Sequence, residues 1–230
     1  MLRAILMDFD GVIADTEPLH FKMFQKVMAQ EGITLTRKEY YDQYLGLDDR
    51  GCFTAVFQSQ GRPLRPQDLD CLAKTKARFF KEAIAKEVAL TPGAEACIKK
   101  LASKYTLAIV SGALKKEVSR ILHRGDLKKY FPVIVAAEDV RKGKPHPEGY
   151  MKAVEWLNVN VFSSEWPLEP SECLVIEDSP WGIEAAQRAG MVCLALTTSY
   201  PHTQVQKADL IVTNLKEISL AGLEKMSTKC

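Results

Sequence analysis

The chain has no run of ~20 apolar residues, the length a bilayer-spanning helix needs, so its sequence offers no membrane-spanning helix. It has no surplus of charge of either sign: 31 basic and 29 acidic residues leave a net charge of +2. That balance provides no electrostatic footprint for nucleic acid or for an anionic membrane surface. Six cysteines, at positions 52, 71, 97, 173, 193 and 230, include no CxxC pair. Neither a zinc site nor a disulfide framework is expected; reduced, buried thiols of a cytoplasmic protein are. Arg3 is followed by Asp8 and Asp10, acids that the apolar core of a signal peptide does not carry. There is no internal repeat and no low-complexity tract.

What is there is ordinary in bulk and specific in detail. The 230 residues are 47% hydrophobic and 26% charged, enough for a sizeable core in one large or two smaller domains. Ala4–Met7 is a short apolar run that reads as a buried strand, and it runs into Asp8-Phe9-Asp10-Gly11. Residues two apart in a strand share a face, which places two carboxylates together at the strand's C-terminal end. Like charges that close call for a cation, a shared proton or separate roles. A strand-to-turn sequence with Asp as turn former is the plainer explanation of the same residues.

From residue 15 to about 88 no strand is expected. Leu19, Met23, Phe24, Val27 and Met28 recur at helical spacing, with Asp15 or Thr16 as cap, Pro18 in the first turn and Gly32 at the end. Residues 44–50 read as a turn leading into a further helix. Another helix is expected over 67–84, with Leu69, Leu72, Phe79 and Ala83 inward and Lys74 and Lys76 as candidate substrate contacts. From Leu90 the texture changes. Strands over 106–110, 133–135, 173–176, 192–196 and 210–212 alternate with helices over 91–101, 114–122, 147–157 and 183–189. Continuous apolar strands between helices predict an α/β fold, a parallel Rossmann-like sheet flanked by helices. The first strand belongs to that sheet, so residues 15–88 are an inserted small all-helical cap domain and 1–14 with 89–230 form the core. Such an insert is expected to act as a lid, with hinges near 14–16 and 88–91.

Three strand ends carry polar residues: Asp8 and Asp10; Ser111-Gly112; Glu177-Asp178-Ser179. In a parallel sheet these ends face one crevice. The basic loop Arg141-Lys142-Gly143-Lys144-Pro145-His146 lies between the second and third. A carboxylate cluster suits Mg²⁺. A serine hydroxyl, a lysine and backbone N–H groups, with Gly11 and Gly112 among the candidates, suit phosphate oxygens.

In this order and at these positions, the motifs resemble those of haloacid-dehalogenase-like hydrolases: Asp8-Phe9-Asp10-Gly11-Val12, Ser111, Gly143-Lys144-Pro145, and Glu177-Asp178 with Ser179 and Gly182. Asp15-Thr16-Glu17-Pro18-Leu19-His20 resembles the β-phosphoglucomutase-like and phosphoglycolate-phosphatase-like branch, which carries a small helical cap. The resemblance implies Asp8 as nucleophile, Asp10 as general acid/base, and Ser111 with Lys144 holding the transferring phosphoryl group. It implies Mg²⁺ bound by Asp8, the Asp10 backbone carbonyl and Asp178, with Glu177 nearby. His20 and Arg50 resemble cap residues that handle the substrate. A dehalogenase would lack the second Asp. The expected activity is Mg²⁺-dependent hydrolysis of a small phosphorylated metabolite by a monomer. The alternatives are a sugar-phosphate mutase, disfavoured by Ala113 because Gly112-Ala113-Leu114-Lys115 follows Ser111 where the mutase has further serine and asparagine residues, and a catalytically silent binding or regulatory protein.

Overall fold

A computed structural model describes residues 1–45, 47, 49–87 and 89–227, with backbone alone for 84–87 and 225–227. Gly46 and Asp48 of the expected turn, Val88 of the second expected hinge and Cys230 lie outside the described residues. The strands are β1 (Ala4–Met7), β2 (Ala14–Asp15), β3 (Ala89–Leu90), β4 (Thr106–Val110), β5 (Val133–Val135), β6 (Cys173–Glu177), β7 (Val192–Leu196) and β8 (Leu210–Val212). The helices are α1 (Glu17–Gln30), α2 (Arg37–Glu39), α3 (Asp49–Ser59), α4 (Pro66–Glu87), α5 (Ala94–Ala102), α6 (Lys115–Arg124), α7 (Glu148–Asn160), α8 (Pro180–Arg188), α9 (His202–Val205) and α10 (Leu220–Ser227).

The chain divides into two compact units, Met1–Asp15 with Ala89–Cys230, and Thr16–Val88. In the first, six strands form one parallel sheet in the order β5-β4-β1-β6-β7-β8. Ala4 aligns with Thr106 on one side and with Cys173 on the other. The direction of winding reverses around β1, so the C-terminal ends of β4, β1 and β6 border the crevice where such sheets bind ligands. The apolar runs are continuous because both faces are covered. Leu6, Ala108, Val110, Val135 and Val175 pack with Tyr150 and Ala153 of α7 and Ile183 and Ala186 of α8. Their neighbours Ile5, Met7, Leu107, Ile109 and Ile176 point to the opposite face and are equally buried.

The two-residue strands β2 and β3 pair antiparallel, Ala14 with Leu90 and Asp15 with Ala89. This pairing is why Asp15 falls with the sheet unit rather than with the helices. The helix expected from Thr91 begins at Ala94, because Gly93 takes a left-handed φ of 88° that a helical turn cannot include.

The second unit is helical. On α1, Leu19, Met23, Phe24, Val27 and Met28 are buried, and Gly32 follows its end at φ 74°. Thr16 occupies the cap position, but its backbone is already helical (φ −91°, ψ −17°) and its side chain caps nothing. An extended backbone is what aims a cap side chain at the free N–H groups. At Thr36, which is extended, the reciprocal cap with Glu39 forms instead. Cys52, Cys97, Cys173 and Cys193 are buried, Cys71 is exposed, and none of these five forms a disulfide. Among the described residues no helix is long and apolar enough to cross a membrane.

Candidate active site

The site grows out of strand ladders that overrun their strands by one residue. The Asp8 N–H donates to the Ile176 carbonyl (2.9 Å), and the Ser111 N–H donates to the Val135 carbonyl (3.0 Å). Both side chains are thereby fixed at the sheet's C-terminal edge, and both are buried. After Asp8 the chain turns tightly, with the Ile13 and Ala14 N–H groups both donating to the Phe9 carbonyl. Gly11 makes this turn at φ 73°. Its N–H donates to the Ala14 carbonyl (2.8 Å) rather than standing open for phosphate. What Gly11 contributes is clearance: a Cβ there would stand 1.7 Å from Asp178 Oδ2.

Lys144 joins three strand ends. Its Nζ donates to Asp8 Oδ1 (2.6 Å), to Glu177 Oε1 (2.5 Å) and to the Val110 carbonyl (3.1 Å). Ligand atoms of Asp8, Glu177 and Asp178 lie within 4.8 Å of one another. Glu177, fully buried, is saturated. Oε1 accepts from Lys144 and from the Tyr150 hydroxyl (2.9 Å). Oε2 accepts from the N–H groups of Asp178 and Ser179 and from the Ser179 hydroxyl. Gly182 is needed behind it, because a Cβ would stand 1.7 Å from Glu177 Oε1. Ser179 also accepts from the Gly182 N–H and so caps α8.

The electrostatics follow from three buried carboxylates facing one ammonium. Burial pushes the Asp8 carboxyl up, Lys144 pulls it back, and Glu177 and Asp10 push it further, to about 7. Burial, then Glu177 and Asp8, hold Asp178 well above the carboxylate range. Burial works to raise Glu177 too, but Lys144 and the hydrogen-bond donors outweigh it and hold the group low. For Lys144 the pull of Asp8 and Glu177 outweighs burial and keeps the ammonium charged. Removal of two carboxylates from water without enough positive charge is costly. A divalent cation would supply the missing charge, and the all-oxygen donor set suits Mg²⁺. Asp8 and Asp178 have the oxygens to hold it, whereas those of Glu177 are already taken.

Ser111 and Gly112 meet Lys144 along a cavity of about 420 Å³, lined further by Val110, His146 and Tyr150. The Ser111 hydroxyl accepts from the Ala113 N–H (2.9 Å), leaving its own proton to donate. Asp10 follows Asp8 in the same turn, with a bridge to Ala14. His20 and Arg50 belong to the helical unit. There His20 Nδ1 is 2.7 Å from Lys76 Nζ, and Arg50 forms an exposed ion pair with Asp70. Lys76 is 1% exposed, ion-paired to Asp49 and set over the Phe24 ring at 4.2 Å. Lys74, by contrast, is exposed.

Three contributors were not singled out from sequence. Tyr150 reads as part of an apolar helix stripe. Thr198 and Ser199 follow β7 in a run of hydroxyls, a signal of the same kind as Ser111. The burial of Lys76 was legible, because positions 72, 76, 79 and 83 share one helix face.

The haloacid dehalogenase-like hydrolase family matches residues 5–196. A phosphorylated carbohydrates phosphatase of Thermotoga maritima is 32% identical over 197 residues, 83% of this chain and 82% of that protein. The fructose-1-phosphate phosphatase YqaB of Escherichia coli is 28% identical, covering 81% of this chain and 92% of its own. Among solved structures, CbbY from Rhodobacter sphaeroides in complex with phosphate superposes with a TM-score of 0.74 at 27% identity, over 97% of this chain and 100% of that one. The four motifs, the sheet order and these likenesses agree, and the chain belongs to the haloacid dehalogenase-like hydrolases.

Proposed function

We propose that this chain is a Mg²⁺-dependent phosphatase of small phosphorylated carbohydrates that works through an aspartyl-phosphate. The observation that carries the proposal is the convergence of Asp8, Lys144 and Asp178 at neighbouring strand ends, with Ser111 beside Lys144. The names of two relatives, acting on phosphorylated carbohydrates and on fructose 1-phosphate, support the substrate class.

Phosphoryl transfer is mostly positioning and charge neutralisation. Asp8 attacks phosphorus, and the bond from phosphorus to the leaving oxygen breaks as Asp10 gives that oxygen a proton. A water then loses its proton to Asp10 and attacks the same phosphorus, and the bond to Asp8 breaks to release inorganic phosphate. Ser111 and Lys144 hold the phosphoryl oxygens throughout. Asp8, Asp178 and the Asp10 carbonyl would hold Mg²⁺, which when bound would neutralise phosphate charge and the carboxylates around it. Lys144 has a second duty: paired with Asp8, it opposes the upward push of burial on the attacking carboxyl. The helical unit serves as the cap that sets substrate choice.

Purified protein with Mg²⁺ and a panel of sugar phosphates is expected to release inorganic phosphate, and Asp8→Asn to abolish release while the far-ultraviolet circular dichroism stays unchanged. Turnover retained in Asp8→Asn would end the nucleophile assignment. Isomerisation of a sugar phosphate with no net phosphate release would replace hydrolysis by a mutase reaction.

A further inference from the structure

One wall of the site comes from an element that the chemistry above does not use, the segment Thr197–Tyr200 that follows β7. It is tied down at three points. The Thr197 N–H donates to the Val212 carbonyl of β8 (3.1 Å). The Thr198 hydroxyl donates to the Gly11 carbonyl (2.8 Å). The Tyr200 ring meets Trp181 of α8 edge-on, with centroids 5.7 Å apart. Between these ties sits Ser199, only 9% exposed, whose hydroxyl donates to Asp178 Oδ2. Gly11 presses on the same oxygen from another side, since a Cβ there would come within 1.7 Å of Oδ2 and 2.5 Å of the Ser199 Oγ.

Asp178 Oδ2 is thus boxed between a hydroxyl and a stretch of bare backbone. Among the described residues no hydrogen bond reaches its Oδ1. The terminal torsion of an aspartate is soft and nearly two-fold, so an untethered carboxylate would exchange its two oxygens freely.

We propose that Ser199 is a positioning residue for Asp178, fixing the carboxylate so that Oδ1 is the oxygen left to the cation. The proposal rests on the Mg²⁺ assignment above. Thr198 belongs to the same device. By holding the Gly11 carbonyl it couples the turn after β1 to the segment carrying Ser199, so the Asp10 carbonyl and the Asp178 carboxylate keep a constant spacing. Partners that orient metal ligands in this way typically change metal affinity 10- to 100-fold when removed.

The test is Mg²⁺ binding to the full chain by isothermal titration calorimetry, without substrate, on the wild type, Ser199→Ala and Ser199→Thr, with thermal melts alongside. Ser199→Ala is expected to weaken Mg²⁺ binding about 10-fold or more. Ser199→Thr keeps the hydroxyl and is expected to stay within about 3-fold of the wild type. If Ser199→Ala does not fold, Ser199→Cys, similar in size and a weak donor, carries the same comparison. Wild-type affinity in Ser199→Ala overturns the proposal. Equal losses in the Ala and Thr variants overturn it as well, because packing rather than the hydroxyl would then be responsible. A wild type that takes up no Mg²⁺ overturns it too. A wild type that binds Mg²⁺ but releases phosphate from no ester sinks only the phosphatase function.

Discussion

Glu177→Gln is the most discriminating single change at this site, because it alters chemistry without altering shape. The carboxylate accepts five hydrogen bonds, two on Oε1 and three on Oε2. An amide has only one acceptor oxygen, so its NH₂ must face donors in either orientation. On the Oε2 side those donors include two backbone N–H groups that cannot turn away. On the Oε1 side they are a hydroxyl, which can rotate to accept, and the Lys144 ammonium, which cannot. The cheaper orientation therefore sets the NH₂ against Lys144 and breaks a buried ion pair.

Breaking a buried pair from one side costs about 3–5 kcal/mol. Lys144 keeps Asp8 at 2.6 Å and the Val110 carbonyl at 3.1 Å, which favours the low end, about 3 kcal/mol. For a chain of this size that is a fall in Tm of about 6–12 °C. Differential scanning calorimetry at neutral pH reads it directly. Tyr150→Phe, which removes one neutral donor of the five, is expected to cost only about 1 kcal/mol. A Glu177→Gln melt within about 2 °C of the wild type would refute the saturated-carboxylate account and return Glu177 to the pool of free metal ligands.

Two further predictions follow from local geometry. Gly11→Ala forces a Cβ into Asp178 Oδ2, whereas Gly32→Ala, at nearly the same φ of 74°, meets open space. The first is expected to abolish Mg²⁺ binding and turnover, and the second to cost only the left-handed penalty of about 1 kcal/mol in a thermal melt. In the helical unit, burial and then Lys76 pull the half-buried His20 imidazole down to about 3. Because the folded value lies below the ordinary one, the unfolded chain binds the extra proton. Stability is full above pH 6.5 and falls as pH drops toward 3, by at most about 1.4 kcal/mol per pH unit. Lys76, Asp49 and the Phe80 ring surround these groups. Urea melts of His20→Gln between pH 7 and 4 are expected to show a shallower slope than the wild type, and equal slopes would refute the assignment.

Most of the sheet was legible because a strand covered on both faces leaves an uninterrupted apolar run, as in Leu107–Val110 and Leu174–Ile176. The strands that escaped notice, β2 and β3, are two residues each, too short for any periodicity. The start of α5 was misplaced because Gly93 looks like a tolerated helix residue until its φ is known. At the site, Asp8 and Asp178 announced themselves by lying at strand ends, and Lys144 by standing in a basic loop between two of them. Tyr150 did not, because on a helix its ring belongs to the apolar stripe and only its hydroxyl reaches Glu177. Saturation of Glu177 was beyond reach for a related reason: it depends on backbone N–H directions after β6, which residue types do not encode.

The small β2–β3 ribbon has a consequence for the history of the chain. Residues 14 and 15 pair with 90 and 89, so the sheet unit loses and regains the chain at points one strand spacing apart, about 5 Å. A two-residue hairpin turn spans that gap. The long excursion Thr16–Val88 is thus an optional parenthesis in the sheet's connectivity. Exchanging it for a helical block of another length is expected to leave the register of β1 against β4 and β6 untouched, so the proposed cap can vary while the reacting strand ends stay where they are.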